Sequence, residues 1–123
     1  MMKQIMNTYK TFEIVVVPFP FVDVLKSKNR PAIVLSSDKY FNNSSNHTIL
    51  AMITSALHDP WPMDLFISNL KSCGLQKPSI IRLKLFTIDN RLIKASIGKL
   101  SSKDQQLLQE KISLCFENLI YLQ

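Results

Sequence analysis

The sequence predicts a mainly β fold, a small barrel or curled sheet in one domain, with a helix at the C-terminal end. Three observations predict it. Short β-branched apolar runs recur along the 123 residues, separated by turn residues, as in small all-β barrels. A long stretch with helical apolar periodicity lies after residue 101. No repeat, linker or low-complexity tract divides the chain, and its length suits one core without disulfides.

Met1 to Lys10 is polar and lacks the apolar centre of a secretory signal. The first strand is expected over 13–17, EIVVV, from its β-branched run. Pro18 and Pro20 cannot donate to a ladder, so the chain leaves the sheet there or follows its edge. A turn or loop over 22–28 carries Asp23, Lys26, Ser27 and Lys28. Arg30-Pro31 then opens a second strand, expected over 31–36. A short helical turn is expected over 39–43. With only two glycines in the chain, left-handed turns fall to asparagine, and the Asn42-Asn43-Ser44-Ser45-Asn46 cluster suits one.

Further strands are expected over 47–53, 64–68 and 79–83, with a short one near 93–97. Residues 57–63, LHDPWPM, form a loop whose prolines bracket Trp61. Three roles stand open for that indole: capping the core, stacking a base, or anchoring a partner segment. The helix is expected over 102–120. Ser101 and Ser102 are good N-caps, with Asp104 and Gln105 three residues after them. Leu108, Ile112, Cys115 and Leu119 share a face that packs on the sheet, and Lys103, Gln106, Glu110 and Glu117 lie largely off it.

The formal charge is +6, and of 15 basic residues only Arg30, Arg82 and Arg91 are arginine. Positive charge favours a polyanion or an acidic partner, although scattered surface lysines give the same sum. No apolar run approaches the roughly 20 residues of a membrane span, so a soluble, cytoplasmic protein is expected. Cys73 and Cys115 are far apart and in no metal-like spacing. They are expected as reduced thiols in or near the core, joined only if the fold brings them together. Gly-rich phosphate loops, HExxH and GxSxG are absent from the sequence, and no metal or cofactor is expected.

A hydrolase that needs neither a metal nor a protein nucleophile remains open. RNA carries its own nucleophile, the 2′-OH, which must be oriented in line and its phosphate charge stabilised. Arg30 suits the second task, because a guanidinium stays charged and forks onto two phosphate oxygens. A salt bridge to Asp23 or Glu13 is the alternative. Thr54, at the end of the third strand, either reaches substrate or satisfies a local backbone group. His58 has a near-neutral ordinary pKa that invites base chemistry, and His47 reads as a surface residue. Phe19, Pro20 and Phe21, with Lys26, Ser27, Lys28 and Asn29, form one candidate groove for stacking and hydrogen bonding single-stranded RNA. Alternatively, one or both phenylalanines fill the core.

The segment VPFPFVD, a basic loop and NRPAIVLS are followed in order by AMITS at 51–55, CGLQKPSIIRL at 73–83 and LFTIDNRLIKASIGKLS at 85–101. This ordered set resembles the PemK/MazF toxins of type II toxin–antitoxin systems over nearly the whole chain. The resemblance implies a small, strongly bent SH3-like β-barrel with a terminal helix, working as a homodimer. It implies metal-independent, sequence-selective cleavage of single-stranded RNA, mainly mRNA, to cyclic phosphate (or 3′-phosphate) and 5′-hydroxyl ends. It also implies a cognate antitoxin whose acidic tail blocks the RNA site. Arg30 and Thr54 match the family's catalytic positions: Arg30 for transition-state charge and proton transfer, Thr54 for holding the scissile phosphate. Ser55 follows in the same motif as a phosphate contact, and His58 becomes first a substrate contact.

Two rival readings accompany the resemblance. One is a non-enzymatic gyrase-binding toxin of the CcdB type; the other is an inactive RNA-binding module. Three departures stand out. Many members open the first strand with Gly-Asp, where this chain has Phe12-Glu13. RLKLFTID is one residue shorter than the usual RLDKLFTLD and lacks its acidic residue. Ala56 stands where some members have a polar side chain.

Overall fold

A computed structural model describes residues 8–19 and 28–120. Six strands form one antiparallel sheet in the order β4-β5-β3-β2-β1-β6, a curled half-barrel. The strands are β1 (Glu13–Pro18), β2 (Asn29–Val34), β3 (His47–Ser55), β4 (Leu65–Phe66), β5 (Ser79–Asp89) and β6 (Ala95–Lys99). A π turn, Asp38–Asn42, runs into the short helix α1 (Asn43–Ser45), and α2 (Ser102–Cys115) follows the last strand. Asn46 ends α1 at φ 61°, so asparagine does supply that left-handed turn.

Both sheet faces are covered, which explains why β2 and β3 read as nearly continuous apolar runs. One face carries Ile14, Ile33, Ala51, Ile53, Leu65 and Ile81, against which Leu108 and Ile112 of α2 pack. The other carries Val15, Val17, Ala32, Val34 and Leu50, topped by Phe19, Phe86, Ile88 and Ile93. Alternation assigns each strand residue to its face.

Two bulges curl the sheet. Ile97 has no partner where β6 pairs with Val15 through Ser96 and with Ile14 through Gly98. On β5, Met52 faces Arg82 while Ala51 faces Leu85, so Leu83 and Lys84 are extra residues. Extra residues bend a strand and reset which side chains face inward. The bulge falls in the segment that is short relative to the family pattern. It also explains why β5 runs to Asp89 instead of stopping at 83: the alternation breaks but the ladder resumes.

Other bounds move for similar reasons. Strand β3 extends two residues past the expected 53, so Thr54 and Ser55 lie inside the ladder opposite Ile80 and Ser79. Helix α2 stops at Cys115, not near 120, because Phe116 departs from helical geometry at φ −111°, ψ 33°. Its inner face runs Leu108, Ile112, Phe116 at i+4 spacing. Cys115 is therefore exposed, not in the core, and Leu119 is 80% exposed. Cys73 is fully buried and both thiols are free. Burial pushes the Cys73 thiol pKa up, with the nearby Asp104 charge adding and a Ser72 hydrogen bond opposing.

Three local features tie distant segments together. Asp104, buried at the first turn of α2, accepts hydrogen bonds from the Ser68 N–H (2.7 Å) and hydroxyl (3.0 Å), which anchors the helix to the loop after β4. Asn42, also fully buried, donates to the carbonyls of Tyr9 (2.9 Å) and Ser36 (3.2 Å). Asn90 donates to the Asn42 carbonyl (2.9 Å) and accepts from Thr48 Oγ1 (2.6 Å). Both glycines serve one contact. A Cβ on Gly98 would lie 2.4 Å from the Ser72 carbonyl oxygen and from the Cys73 carbonyl carbon. A Cβ on Gly74, at φ +71°, would lie 2.2 Å from the Ile97 carbonyl oxygen. The loop before β5 therefore packs backbone to backbone on β6.

Phe12 has φ 78°, a region that glycine enters freely and L side chains rarely do. The family's usual glycine before the first strand has its reason here. In this chain the half-buried ring packs on the helix-side core.

Gly98→Ala is expected to destabilise the protein by about 1–3 kcal/mol through overpacking against a backbone that has no side chain to move. Urea unfolding monitored by circular dichroism measures it; an unchanged midpoint would contradict the close approach.

Candidate active site

Strand β1 ends where Val17 pairs with Arg30 and Pro18 with Asn29. Beyond the ladder, the Phe19 N–H donates to the Lys28 carbonyl at 3.3 Å. Pro18 needs no donor there, which lets the chain turn out of the sheet. Phe19 folds back into the core at 5% exposure, edge-on to Phe86 with centroids 5.9 Å apart. The Arg30 guanidinium lies 5.7 Å from the Phe19 ring centroid, a cation–π distance.

Arg30 Nε is buried and has no hydrogen-bond partner among the described residues. A buried guanidinium N–H without an acceptor is unfavourable and rare. The salt bridge to Glu13 does not form: that carboxylate accepts from the Lys10 N–H and the Ser96 hydroxyl, both at 2.7 Å. Asp23 lies outside the described residues.

Thr54 belongs to β3 and is 7% exposed. Strands β2 and β3 pair through Ala32↔Met52, Ile33↔Ala51 and Val34↔Leu50. Continuing that register by two residues sets Arg30 across from Thr54 on one face of the sheet. The same row runs on through Ile80 and Phe66. Sequence distance hides this proximity; antiparallel register creates it.

Ser55 ends β3 on the opposite face. Its hydroxyl accepts the Leu57 N–H at 3.2 Å and its carbonyl accepts the His58 N–H at 3.4 Å. It thereby starts the turn after the strand. His58, Lys28 and Asn29 are exposed. Phe19 is buried in the cluster with Val15, Val17 and Phe86, and the Arg30 guanidinium lies against its ring. Phe21, Lys26 and Ser27, with Pro20, lie outside the described residues. Among the described residues, no group of three or more His, Cys, Asp or Glu side chains gathers as a metal site.

The loop after Thr54 is held by a cluster that the motif reading missed. Arg82, 6% exposed, donates from Nε to Asp64 Oδ1 (3.1 Å), and from Nη2 to Asp64 Oδ2 (2.9 Å) and the Asp59 carbonyl (2.6 Å). Asp64 also accepts the Trp61 N–H at 2.8 Å. The guanidinium lies 5.1 Å from the Trp61 ring centroid. One signal was available: an arginine inside the apolar run SIIRLKL must find a partner if that run is buried. Burial alone would raise the Asp64 pKa, but hydrogen bonds from Arg82 and the Trp61 N–H, with the Arg82 charge, hold it below the usual carboxylate range.

A curled sheet with a terminal helix, in which Arg30 at the start of β2 lies across from Thr54 near the end of β3, defines the class: a small, mainly β protein. The family model for PemK-like, MazF-like toxins of type II toxin–antitoxin systems matches residues 10–116, and the chain belongs to that family. No curated protein sequence matches this one.

Among solved structures, a mycobacterial endoribonuclease in complex with its cognate antitoxin superposes with TM-score 0.70 at 7% identity, covering 93% of this chain and 99% of that one. MazF of Deinococcus radiodurans gives TM-score 0.69 at 15% identity, with 90% and 98% covered. The Mycobacterium tuberculosis toxin MazF-mt6 gives 0.65 at 19%, with 85% and 96% covered. At such identities the likeness establishes the fold. Among the described residues no helix is long and apolar enough to cross a membrane.

The Asp64–Arg82 pair predicts a pH dependence. A carboxylate whose folded pKa is depressed contributes stability above its unfolded pKa of about 3.9, and that contribution is lost as pH falls through the folded value. Wild-type unfolding midpoints are expected to drop below about pH 4. Asp64→Asn is expected to be roughly 3 kcal/mol less stable at neutral pH, with a flatter acid limb. Urea melts of both proteins across that range measure it; parallel acid limbs would remove Asp64 as the cause.

Proposed function

We propose that this toxin is a metal-independent endoribonuclease that cleaves single-stranded RNA, mainly mRNA, at selected sequences and so inhibits growth. The single observation that carries the reading is Arg30: a half-buried guanidinium beside Phe19, its Nε without a hydrogen-bond partner among the described residues, at the start of β2 across from Thr54. An N–H with no acceptor among the described residues suits a phosphate oxygen that arrives with substrate.

In this reading Thr54 donates its hydroxyl to a non-bridging oxygen of the scissile phosphate and fixes its orientation. The 2′-oxygen attacks phosphorus as its proton passes to solvent water. The bond from phosphorus to the 5′-oxygen breaks, and that oxygen takes a proton from water, so the proton count is unchanged. Arg30 stabilises the extra negative charge on the five-coordinate phosphorus and hydrogen bonds the departing oxygen. Water can later open the 2′,3′-cyclic phosphate to a 3′-phosphate.

The positive balance of the chain suits both an RNA backbone and the acidic tail of a cognate antitoxin. Antitoxin binding over the RNA site, and a homodimer, belong to this proposal. The solved mycobacterial endoribonuclease bound to its antitoxin supports the first. A gyrase-binding toxin remains the contrasting outcome, in which Arg30 would be dispensable.

Purified protein incubated in EDTA with a long single-stranded RNA is expected to give discrete cuts with 5′-hydroxyl ends. Arg30→Ala and Thr54→Ala should each lower kcat by about 100-fold or more, as expected for removing a preorganised donor to the developing charge. RNA left intact by the wild type across several transcripts would sink the ribonuclease reading.

A further inference from the structure

Trp61 is the chain's single tryptophan and is 43% exposed. Its surroundings are not those of an idle surface residue. Pro60 and Pro62 restrict the loop on both sides. Arg82, itself almost inaccessible, lies against the ring at 5.1 Å and is tied to Asp64 and to the Asp59 carbonyl. Arg82, itself buried, packs against the indole, while 43% of Trp61 stays exposed. The flanking prolines and the Arg82 contact restrain the ring before any ligand arrives.

Its position follows from register. Arg82 pairs with Met52, two residues along β3 from Thr54 and on the same sheet face. Strand spacing then puts the Arg82 backbone roughly 8 Å from that of Thr54. Lys84 Nζ, 6.0 Å from the ring centroid, adds positive charge beside it. A preorganised aromatic plane flanked by cations, next to a phosphate site, has the form of a single-strand stacking platform.

We propose that the exposed surface of Trp61 is a base-stacking subsite of the toxin, receiving a nucleobase that flanks the scissile phosphate and contributing to the choice of cleavage sequence. The inference rests on the ribonuclease reading above. The ring offers planarity and is selective through stacking strength and fit, while the chemistry stays with Arg30 and Thr54.

The lone tryptophan makes the test direct. Full-length Arg30→Ala protein is titrated with a long single-stranded RNA, with fluorescence anisotropy of labelled RNA reporting binding and indole emission reporting Trp61. Saturable quenching that tracks binding is expected. Trp61→Ala should weaken binding roughly 5- to 150-fold, and Trp61→Phe should restore most of it. With Arg30 intact, Trp61→Ala should raise KM more than it lowers kcat and should redistribute the cut sites. Circular dichroism checks that both Trp61 variants fold.

RNA bound without quenching, or an unchanged affinity and cut map in Trp61→Ala, would overturn the subsite and leave the ribonuclease standing. Quenching by an acidic peptide but not by RNA would overturn it in favour of a protein partner at this face. RNA neither bound nor cut by any form would overturn both readings.

Discussion

The register of β2 between β1 and β3 is the constraint on which the rest depends. Both faces of this strand are buried, so Ile33 must meet the helix-side core while Ala32 and Val34 meet the opposite one. A slip of one residue would exchange the two sets and turn Arg30 to the wrong face. The same register fixes Val17 and Arg30 opposite each other and carries the row across to Thr54 and Ile80. Packing on two sides thus sets the geometry of a polar site at the end of the sheet.

Buried polar groups do a second kind of work. Asp104, Asn42 and Arg82 each join segments that are distant in sequence, and each is matched by hydrogen-bond partners. Such groups are unfavourable inside a protein unless satisfied, so they admit few alternative arrangements. Arg30 differs, because its buried Nε has no hydrogen-bond partner among the described residues. That contrast, more than the presence of an arginine, sets Arg30 apart from the structural bridges and underlies the proposed substrate site.

The family motifs divide along the same line. The glycines of CGLQKPS and IGKLS meet where the loop before β5 packs on β6, and their need is steric. Where many members have a glycine before the first strand, this chain has the half-buried Phe12 at a positive φ. The arginine of NRPAIVLS meets no such steric need, and the proposed ribonuclease reading gives it a chemical one. A motif match alone does not separate these causes; the contacts do.

The Arg30–Thr54 candidate pair came from the family resemblance; the residues alone determined the β class, the places of the strands along the chain and the N-terminal end of α2. Local rules suffice for these: β-branched runs make strands, Ser101 caps a helix, and two prolines end a strand. Tertiary structure alone decided the length of β5, the end of α2 and the Arg82–Asp64–Trp61 cluster. A bulge conceals a continuous ladder from any period-two reading, since Leu83 and Lys84 break the alternation while the hydrogen bonding resumes beyond them. Phe116 leaves the helix through its own backbone geometry, which the apolar spacing of Leu119 gives no means to foresee. The cluster depends on Arg82 and Trp61 lying 21 residues apart in sequence yet stacked in space. Pairing between distant residues is a property of strand register, and register is fixed only when both faces of the sheet are packed.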